Sequence, residues 1–397
     1  MRLSAVIAHL LLCVATILPA PAVQALGPAE LALVINTADP ASVEIGRYYR
    51  EQRGIPESNV IRVSLPAGRA ALTRDEFVQI YEQVQGELPA GVQAYALAWT
   101  RPWRAGCMSI TSAFAFGYDE RFCSASCGPT QASRLFNGGR NMAADLPMPR
   151  PAMMLAGETV DVVRRLIDRG VAADFSYPKG HAYLVRTEDA ARNVRSVLFG
   201  EIVEQVKGVQ FEIRPAAEAQ ALGDVVAYFT GAVRVPALDS LAFLPGAPAD
   251  HLTSFGGQLL DNASQMSVLE WLRAGATGSY GTVVEPCNHL GKFPHPGILM
   301  AYYAEGDTLI EAYWKSVAWP GEGVFVGEPL ARPFGTRTFR DADGWWVESH
   351  SATGRPAAVE VAPSVVGPYR RVGMVQLPVG YGKQKLQVLS AGAVRVR

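Results

Sequence analysis

Two side chains in this sequence, the imidazole of His251 and the thiol of Cys287, are of the types that nucleophilic catalysis needs. A neutral thiol is a weak nucleophile, and it becomes reactive when a neighbouring imidazole takes its proton and stabilises the thiolate. The pair would perform thiol-dependent hydrolysis of a peptide or amide bond. We therefore predict His251 as the acid–base group and Cys287 as the nucleophile.

The segments around these residues predict how they come together. His251 lies in segment 248–257 and Cys287 in segment 275–289, and each segment follows or contains an apolar run typical of a buried strand. Residues 267–273, between the two, have the pattern of a helix. A strand–loop–helix–strand unit makes parallel neighbours, whose carboxyl ends lie at the same edge of a sheet. His251 and Cys287 are thus expected side by side at that edge.

Each residue also has a structural alternative. His251 follows an apolar run at 241–244 and the Pro245-Gly246 pair, where hydrogen bonds would fix it in a turn. Cys287 alternatively forms a disulfide. Of the five cysteines, Cys13 lies in the amino-terminal leader segment, so the rest of the chain has four. Two disulfides, or one disulfide with two free thiols, both remain open. The partner of Cys287 would be one of the other cysteines, namely Cys107, Cys123 or Cys127.

Metal and cofactor sites are disfavoured by spacing. Cys287, His289 and His295 lie close in sequence, but the paired spacing of a zinc site is absent around them. The glycines at 275, 278 and 281 fit neither the phosphate-loop pattern nor the dinucleotide fingerprint. Their expected role is close packing and a tight turn. We predict neither a metal nor a cofactor.

Residues 1–25 are expected to be an export signal. Arg2 gives the positive start, an apolar stretch follows, and Val23-Gln24-Ala25 provides small residues for cleavage. We predict export to the periplasm or beyond the cell, with no membrane span after cleavage. Lys and Arg number 36 and Asp and Glu 37, without a run of like charge. This balance disfavours nucleic acid and an anionic membrane surface as partners. The substrate expected for the predicted hydrolysis is a peptide or an envelope protein. The oligomeric state is not predicted.

The periodicity of residues 26–334 predicts an α/β domain. Apolar runs at Leu31–Asn36, Val60–Val63 and 94–99 alternate with helical patterns, as in a mainly parallel sheet flanked by helices. Residues 102–150 interrupt this alternation and hold three cysteines, so they are interpreted as an ordered insertion. Residues 335–397 have alternating strand patterns separated by Gly and Pro, which predict a small carboxyl-terminal β module.

Several of these segments resemble, as a set, a family of exported bacterial proteins of unknown function. The matching pieces are residues 34–37, 42–53, 54–60, 109–118, 251–257, 275–286, 308–316 and 327–330. More distantly, the order of elements is similar to the caspase–gingipain class of cysteine peptidases, in which a histidine ends one strand and a cysteine the next. That resemblance implies a caspase-like three-layer sandwich with His251 and Cys287 in the catalytic places.

The sequence departs from the peptidase pattern at two positions. Leu252 follows His251 where the class usually has glycine, and Pro286 precedes Cys287 where it usually has a small residue. Proline also removes a backbone donor that an oxyanion hole close to the nucleophile often uses. The sequence is therefore compatible with two functions. The first is an exported cysteine hydrolase, and the alternative is a non-enzymatic binding or structural protein of the cell envelope on the same scaffold.

Overall fold

The computed structural model describes residues 25–124, 127–138, 149–262, 264–364, 367–388 and 390–396. All but the last residue of the predicted export signal lies outside the described residues. Within these ranges, no helix is long and apolar enough to cross a membrane.

The described chain contains nineteen strands and eight α-helices. The strands are β1 (Leu31–Asn36), β2 (Val60–Val63), β3 (Ala71–Leu72), β4 (Ala94–Leu97), β5 (Arg104–Ala105), β6 (Met108–Ser109), β7 (Ala152–Met154), β8 (His181–Arg186), β9 (Phe211–Pro215), β10 (Val225–Gly231), β11 (Ala249–Leu252), β12 (Gly278–Thr282), β13 (Gly323–Gly327), β14 (Arg337–Asp341), β15 (Gly344–Ser351), β16 (Arg355–Ala362), β17 (Arg370–Leu377), β18 (Gly380–Lys385) and β19 (Ala393–Val396). The helices are α1 (Pro40–Arg53), α2 (Arg74–Glu87), α3 (Ile110–Phe116), α4 (Val160–Ala173), α5 (Phe199–Gln205), α6 (Leu269–Ala274), α7 (Pro296–Ala304) and α8 (Leu309–Ser316).

The largest sheet has six strands in the order β12-β13-β7-β4-β1-β2. Its strands β2, β1, β4 and β7 pair in parallel, and β12 pairs antiparallel with β13. Helix α1, which follows β1, begins at the Asp39 cap and ends where Gly54 adopts a left-handed conformation. Asp, Pro and Gly set helix ends by local geometry, so both ends of α1 follow from the sequence around Asp39 and Gly54.

A second sheet has four parallel strands in the order β11-β10-β8-β9. It meets the first sheet through a parallel bridge between Pro248 and Gly278, so β11 lies beside β12. Near the ends of these two strands, the hydroxyl of Thr282 donates to the backbone oxygen of Ser254 over 2.7 Å. The carboxyl ends of β11 and β12 therefore share one edge, as predicted.

The core lies on both faces of the sheets. In β1, Leu33 and Ile35 belong to one apolar cluster with residues of α1 and α4, while Ala32 and Val34 belong to another with residues of α2 and α3. The second sheet has α5 on one face and the Trp271 side of α6 on the other. The fold class is thus confirmed as α/β, a mainly parallel arrangement flanked by helices.

Residues beyond the α/β part form two small antiparallel sheets, β14-β15-β18 and β17-β16-β19. Their inner residues make a separate apolar cluster that includes Val347, Val359 and Leu377. The module also contacts the main part, since His350 lies within 2.8 Å of the backbone oxygen of Ala304.

Some predicted elements were wrong. Residues 241–244 form no strand and contribute only an isolated bridge between Val225 and Phe243. The strand next to β10 is β11 instead, so His251 lies inside a strand rather than in the loop after it. Residues 192–206, whose pattern predicts a single helix, divide into a 3-10 helix, Asn193–Leu198, and the shorter α5.

Candidate functional site

His251 is buried on the α6 side of the second sheet and is only 1% exposed. The indole N–H of Trp271 lies 2.9 Å from its Nδ1, and its Nε2 lies 3.1 Å from the backbone oxygen of Met266. An indole nitrogen can only donate, so Nδ1 accepts the hydrogen bond from Trp271. Nε2 therefore carries the ring proton and donates a hydrogen bond to the backbone oxygen of Met266. Both ring nitrogens are engaged within the protein.

The electrostatics keep this imidazole neutral. The pKa of His251 is lowered from 6.5 to about 3, mainly because burial removes the hydration of the charged form and to a smaller extent because of nearby arginines. A general base must reach the proton that it abstracts. His251 is almost fully buried and makes its hydrogen bonds to Trp271 and Met266 rather than to Cys287, so its arrangement is that of a histidine fixed by hydrogen bonds.

Cys287 forms a disulfide with Cys127, a residue 160 positions earlier, and Cys107 pairs with Cys123. Of the two alternatives that the cysteine count left open, the one with two disulfides is confirmed. A sulfur in a disulfide has no thiolate to act as a nucleophile. The structure therefore places His251 inside β11 and Cys287 in the loop after β12, and it does not assemble them as an imidazole–thiolate pair.

A pocket lies at the shared carboxyl edge of β11 and β12, and we call it the edge pocket. Its volume is about 210 Å³. It is lined by Ala191, Arg192, Leu252, Thr253, Ser254, Glu285, Cys287, Asn288 and Phe293. Cys287 is thus part of the wall, whereas His251 is not. Clefts beyond the carboxyl ends of parallel strands are the usual ligand sites of α/β sheets.

One side of the edge pocket is built by a network around Arg192. Its guanidinium donates to the carboxylate of Asp189 over 2.9 Å and to the hydroxyl of Thr253 over 3.1 Å. Thr253 in turn donates to the side chain of Gln265 over 2.8 Å, and the same oxygen accepts the backbone N–H of Phe255. These bonds fix the loop after β11 and hold the Arg192 charge beside the pocket.

The other polar groups of the edge pocket have unused hydrogen-bonding capacity. Glu285 accepts the backbone N–H of Cys287 with one oxygen, and Asn288 donates its amide to the backbone of Ala191. The second oxygen of Glu285 and the amide oxygen of Asn288 have no partner among the described residues, and the same holds for the Ser254 hydroxyl. The pocket therefore offers both donors and acceptors to a ligand.

Glycines allow the strand ends to approach closely. A Cβ on Gly281 would lie 2.6 Å from the backbone nitrogen of Gly257 and 2.7 Å from the carbonyl carbon of Gly256. Side chains at these positions would separate the loop after β11 from β12. This agrees with the packing role expected for the glycines at 275, 278 and 281.

A buried ion pair lies on the opposite side of β11 from His251. Arg195 and Asp250 are 2% and 1% exposed, and their side chains are 2.5 Å apart. Arg195 also donates to the backbone oxygens of Thr230 and Pro294. Burial raises the pKa of Asp250 to about 6, although the Arg195 charge opposes this shift. Asp250 and His251 are adjacent in sequence, and their side chains diverge to opposite faces.

Four lining residues of the edge pocket are not among the predicted site residues: Arg192, Ser254, Glu285 and Asn288. Their position is a usable signal, since each lies in the segment that follows a strand, and such segments lie at the carboxyl edge of the sheet. Among the described residues, no group of three or more His, Cys, Asp or Glu side chains could hold a metal ion.

Comparison with solved structures gives distant likenesses to cysteine proteinases. The crystal structure of the Arg-specific cysteine proteinase gingipain R is similar at 10% identity and a TM-score of 0.45, covering 92% of this chain and 93% of that one. A structure described only as a protease has 11% identity and a TM-score of 0.41, covering 93% and 97%. The complex of Porphyromonas gingivalis RgpB pro- and mature domains has 10% identity and a TM-score of 0.39, covering 93% and 99%.

No family model and no curated protein matches the chain. The resemblance to a family of exported bacterial proteins therefore stays a prediction. Likeness at this level of identity and TM-score carries no statement about the activity of this chain.

Proposed function

We propose that this protein is a non-hydrolytic binding protein that holds one residue of a peptide in the edge pocket. The observation that carries this proposal is the bond between the sulfurs of Cys287 and Cys127 at the pocket wall. With the sulfur bonded and His251 engaged by Trp271 and Met266, the pocket has a surface for binding but no activated thiol.

The chemistry of the pocket favours a peptide. A peptide backbone offers both N–H donors and C=O acceptors. The free oxygens of Glu285 and Asn288 can accept, and the hydroxyl of Ser254 can do either. Leu252 and Phe293 supply apolar surface for a side chain. A volume of about 210 Å³ is below the usual range for small-molecule sites and suits a single residue.

The disulfides support an exported protein. Disulfides persist in oxidising compartments and are rare where thiols are kept reduced. The Cys107–Cys123 pair lies within the segment between β4 and β7, and the Cys127–Cys287 pair joins that segment to the wall of the edge pocket. The peptide would then come from a protein of the envelope or the cell exterior.

The test uses the full oxidised chain and a library of fluorescent peptides, scored for both retention and cleavage. We expect retention of a subset of peptides without any cleavage. Ser254→Ala removes one hydrogen-bonding group and should weaken retention roughly 2- to 12-fold, the effect of one hydrogen bond. Ser264→Ala is the matched control, because Ser264 is an exposed residue of the same loop that does not line the pocket. Cleavage by the oxidised chain, or equal retention by both variants, contradicts the proposal.

A second candidate is the thiol-dependent hydrolase, with Cys287 as nucleophile and His251 as acid–base. The specific observation in its favour is that Cys287 lines a pocket at the carboxyl edge of two neighbouring parallel strands. Hydrolysis would require a free thiol and a His251 released from Trp271 and Met266.

Cys127→Ser tests this candidate, because it frees the Cys287 thiol without an added reductant. Under the binding proposal this variant retains peptides and leaves them intact. Cleavage by Cys127→Ser that is lost in Cys127→Ser/Cys287→Ser would instead establish the hydrolase. Cys123→Ser, which frees the thiol of Cys107 in the other disulfide, is the matched control.

A further inference from the structure

The carboxyl-terminal module contains a pocket separate from the edge pocket, and we call it the hairpin pocket. It lies where the turn between β14 and β15 meets the segment after β18, and its volume is about 730 Å³. Its polar and aromatic wall consists of Arg340, Asp341, Asp343, Trp345, Lys385 and Gln387. None of these residues lines the edge pocket, so the two sites are independent.

The backbone around the hairpin pocket is fixed. Asp341 pairs with Gly344 across a two-residue turn, and Arg340 pairs with Trp345, which places these two side chains on one face of the hairpin. Gly344 has a φ of 123°, a conformation that glycine adopts without strain. The backbone N–H of Leu386 donates to the backbone oxygen of Trp345 over 2.8 Å. The wall is therefore preformed.

Most of the polar side chains in this wall make no hydrogen bond or ion pair with the described residues. Arg340, Asp343, Lys385 and Gln387 are exposed, and their side chains have no hydrogen-bond or ion-pair partner among the described residues. Asp341 is the exception: one of its oxygens accepts the indole N–H of Trp346 over 2.9 Å. The pKa of Asp341 lies below its ordinary value, mainly because of this hydrogen bond, so the carboxylate stays ionised.

The charges of the pocket are balanced. Arg340 and Lys385 contribute two positive charges, and Asp341 and Asp343 contribute two negative charges. A phosphate or a polyanion would gain from the two basic groups but would be repelled by the two carboxylates. A balanced set of donors and acceptors instead suits a neutral ligand with many hydroxyl groups, each of which donates and accepts.

The apolar part of the wall restricts the class of ligand further. The indole of Trp345 is half-buried against the apolar cluster of the module, next to Leu386. Its N–H has no acceptor among the described residues, so packing alone orients the ring. Aromatic rings provide a large, rigid apolar surface, and the C–H faces of pyranose rings can pack on such a surface. The volume lies within the range of small-ligand sites and exceeds that of a single peptide residue.

We propose that the hairpin pocket binds a neutral oligosaccharide, with a sugar ring against Trp345 and hydroxyl groups on Arg340, Asp343, Lys385 and Gln387. This inference does not depend on the peptide-binding proposal, since the two pockets share no residue. It assigns the carboxyl-terminal module a role in carbohydrate binding.

Isothermal titration calorimetry on the full oxidised chain tests the proposal. The probes are maltohexaose, cellohexaose and chitohexaose, with an oligogalacturonate of similar length as the anionic comparison. We expect saturable binding of at least one neutral hexasaccharide with a stoichiometry of one. Arg340→Gln and Gln387→Ala should each weaken it roughly 2- to 12-fold, as expected for the loss of one hydrogen bond.

Lys383→Gln is the matched control, because Lys383 does not line the hairpin pocket and lies over the rings of Phe339 and Trp346. It should bind the same hexasaccharide with unchanged affinity. Trp345→Phe tests the aromatic wall, with near-ultraviolet circular dichroism to check that the module is folded. Three results overturn the proposal: no binding of any neutral probe at millimolar concentration, binding of the oligogalacturonate alone, or equal affinities in wild type, Arg340→Gln and Gln387→Ala.

Discussion

The indole N–H of Trp271 donates to Nδ1 of His251 over 2.9 Å in the interior of the protein. This bond fixes the tautomer of the imidazole and directs its other nitrogen to the backbone oxygen of Met266. The residue expected from the sequence to be an acid–base group thus has a position that favours stability. Its strand ends at Leu252, and the nearest polar residues of the same segment that line the edge pocket are Thr253 and Ser254.

Trp271→Phe should destabilise the protein by about 1–3 kcal/mol, because it leaves Nδ1 of a buried histidine without a donor. Urea denaturation measures the change. Trp346→Phe is the control, since its indole N–H bonds to an exposed carboxylate of Asp341 and water can replace it. We expect the control substitution to lower the free energy of unfolding by less than about 0.5 kcal/mol. Equal stabilities of wild type and Trp271→Phe would contradict the role given to the bond.

Stability should depend on pH through His251. Its pKa is about 3 in the folded protein and ordinarily 6.5, so between these values the unfolded chain binds the extra proton. The contribution of His251 is fully present above pH 6.5 and is lost as the pH falls. The stability difference between wild type and His251→Gln should therefore shrink on acidification, by at most about 1.4 kcal/mol per pH unit.

Asp250 should show the opposite dependence. Its pKa is about 6 in the folded protein and ordinarily 3.8, so here the folded protein binds the extra proton. Its contribution is present below pH 3.8 and is lost as the pH rises to 6. Asp250→Asn, measured by urea denaturation across pH 4–8, should therefore gain stability relative to wild type as the pH rises through this interval. Parallel pH curves for wild type, His251→Gln and Asp250→Asn would contradict both assignments.

Arg195→Met should be among the more destabilising substitutions at the site. It leaves the carboxylate of Asp250 buried without its partner, which typically costs about 3–5 kcal/mol. The double variant Arg195→Met/Asp250→Leu removes both charges and should recover most of that loss. Guanidinium denaturation of the two variants provides the comparison. A double variant no more stable than Arg195→Met would show that the ion pair is not the cause.

Gly281→Ala should displace the loop after β11, which forms part of the edge pocket. The added Cβ would lie within 2.7 Å of the backbone of Gly256 and Gly257. We expect a loss of about 1–3 kcal/mol, as for other overpacked positions. Peptide retention should fall with it, since the loop that bears Ser254 must move. Gly86→Ala in α2 is the control: outside the adjacent helix backbone and its two chain neighbours, no atom would lie within 4 Å of the added Cβ, and we expect unchanged or slightly higher stability. Normal retention by Gly281→Ala would show that the close approach is dispensable.

The two disulfides should contribute unequally to stability. The Cys127–Cys287 pair closes a loop of 160 residues and the Cys107–Cys123 pair a loop of 16. Chain entropy predicts losses of about 5 and about 3 kcal/mol when each pair is replaced by alanines. Denaturation of the two double variants gives the comparison. A larger loss for the shorter loop would show that contacts in the folded protein, and not chain entropy, dominate.

The parts of the fold that the sequence predicts well are those with strong local signals. Strand β1 is a continuous apolar run, and α1 has a cap, a helical period and a terminal Gly54. Strand β11, in contrast, reads Ala-Asp-His-Leu, and neither an apolar run nor an alternation marks it. Its polar members are buried because Arg195, Trp271 and Met266 provide partners for them. Those partners are distant in sequence, so the local pattern does not reveal them. The apolar run at 241–244 predicts a strand more strongly, although it forms none.

The site shows the same limit. Four cysteines allow three pairings, and sequence alone does not choose among them. The pairing of Cys287 with Cys127 depends on how the insertion after β4 folds over the carboxyl edge, a contact between segments 160 positions apart. The edge itself was predictable from the order of strands, whereas the identity of the groups that reach it was not.

The most direct test of the central claim is peptide mapping by mass spectrometry of the unreduced, iodoacetamide-treated protein. We expect a cross-linked peptide that contains Cys127 and Cys287, a second that contains Cys107 and Cys123, and no alkylation at Cys287. Peptides retained by the same sample should be recovered intact. Alkylation of Cys287 together with cleaved peptides would contradict the account and favour the hydrolase.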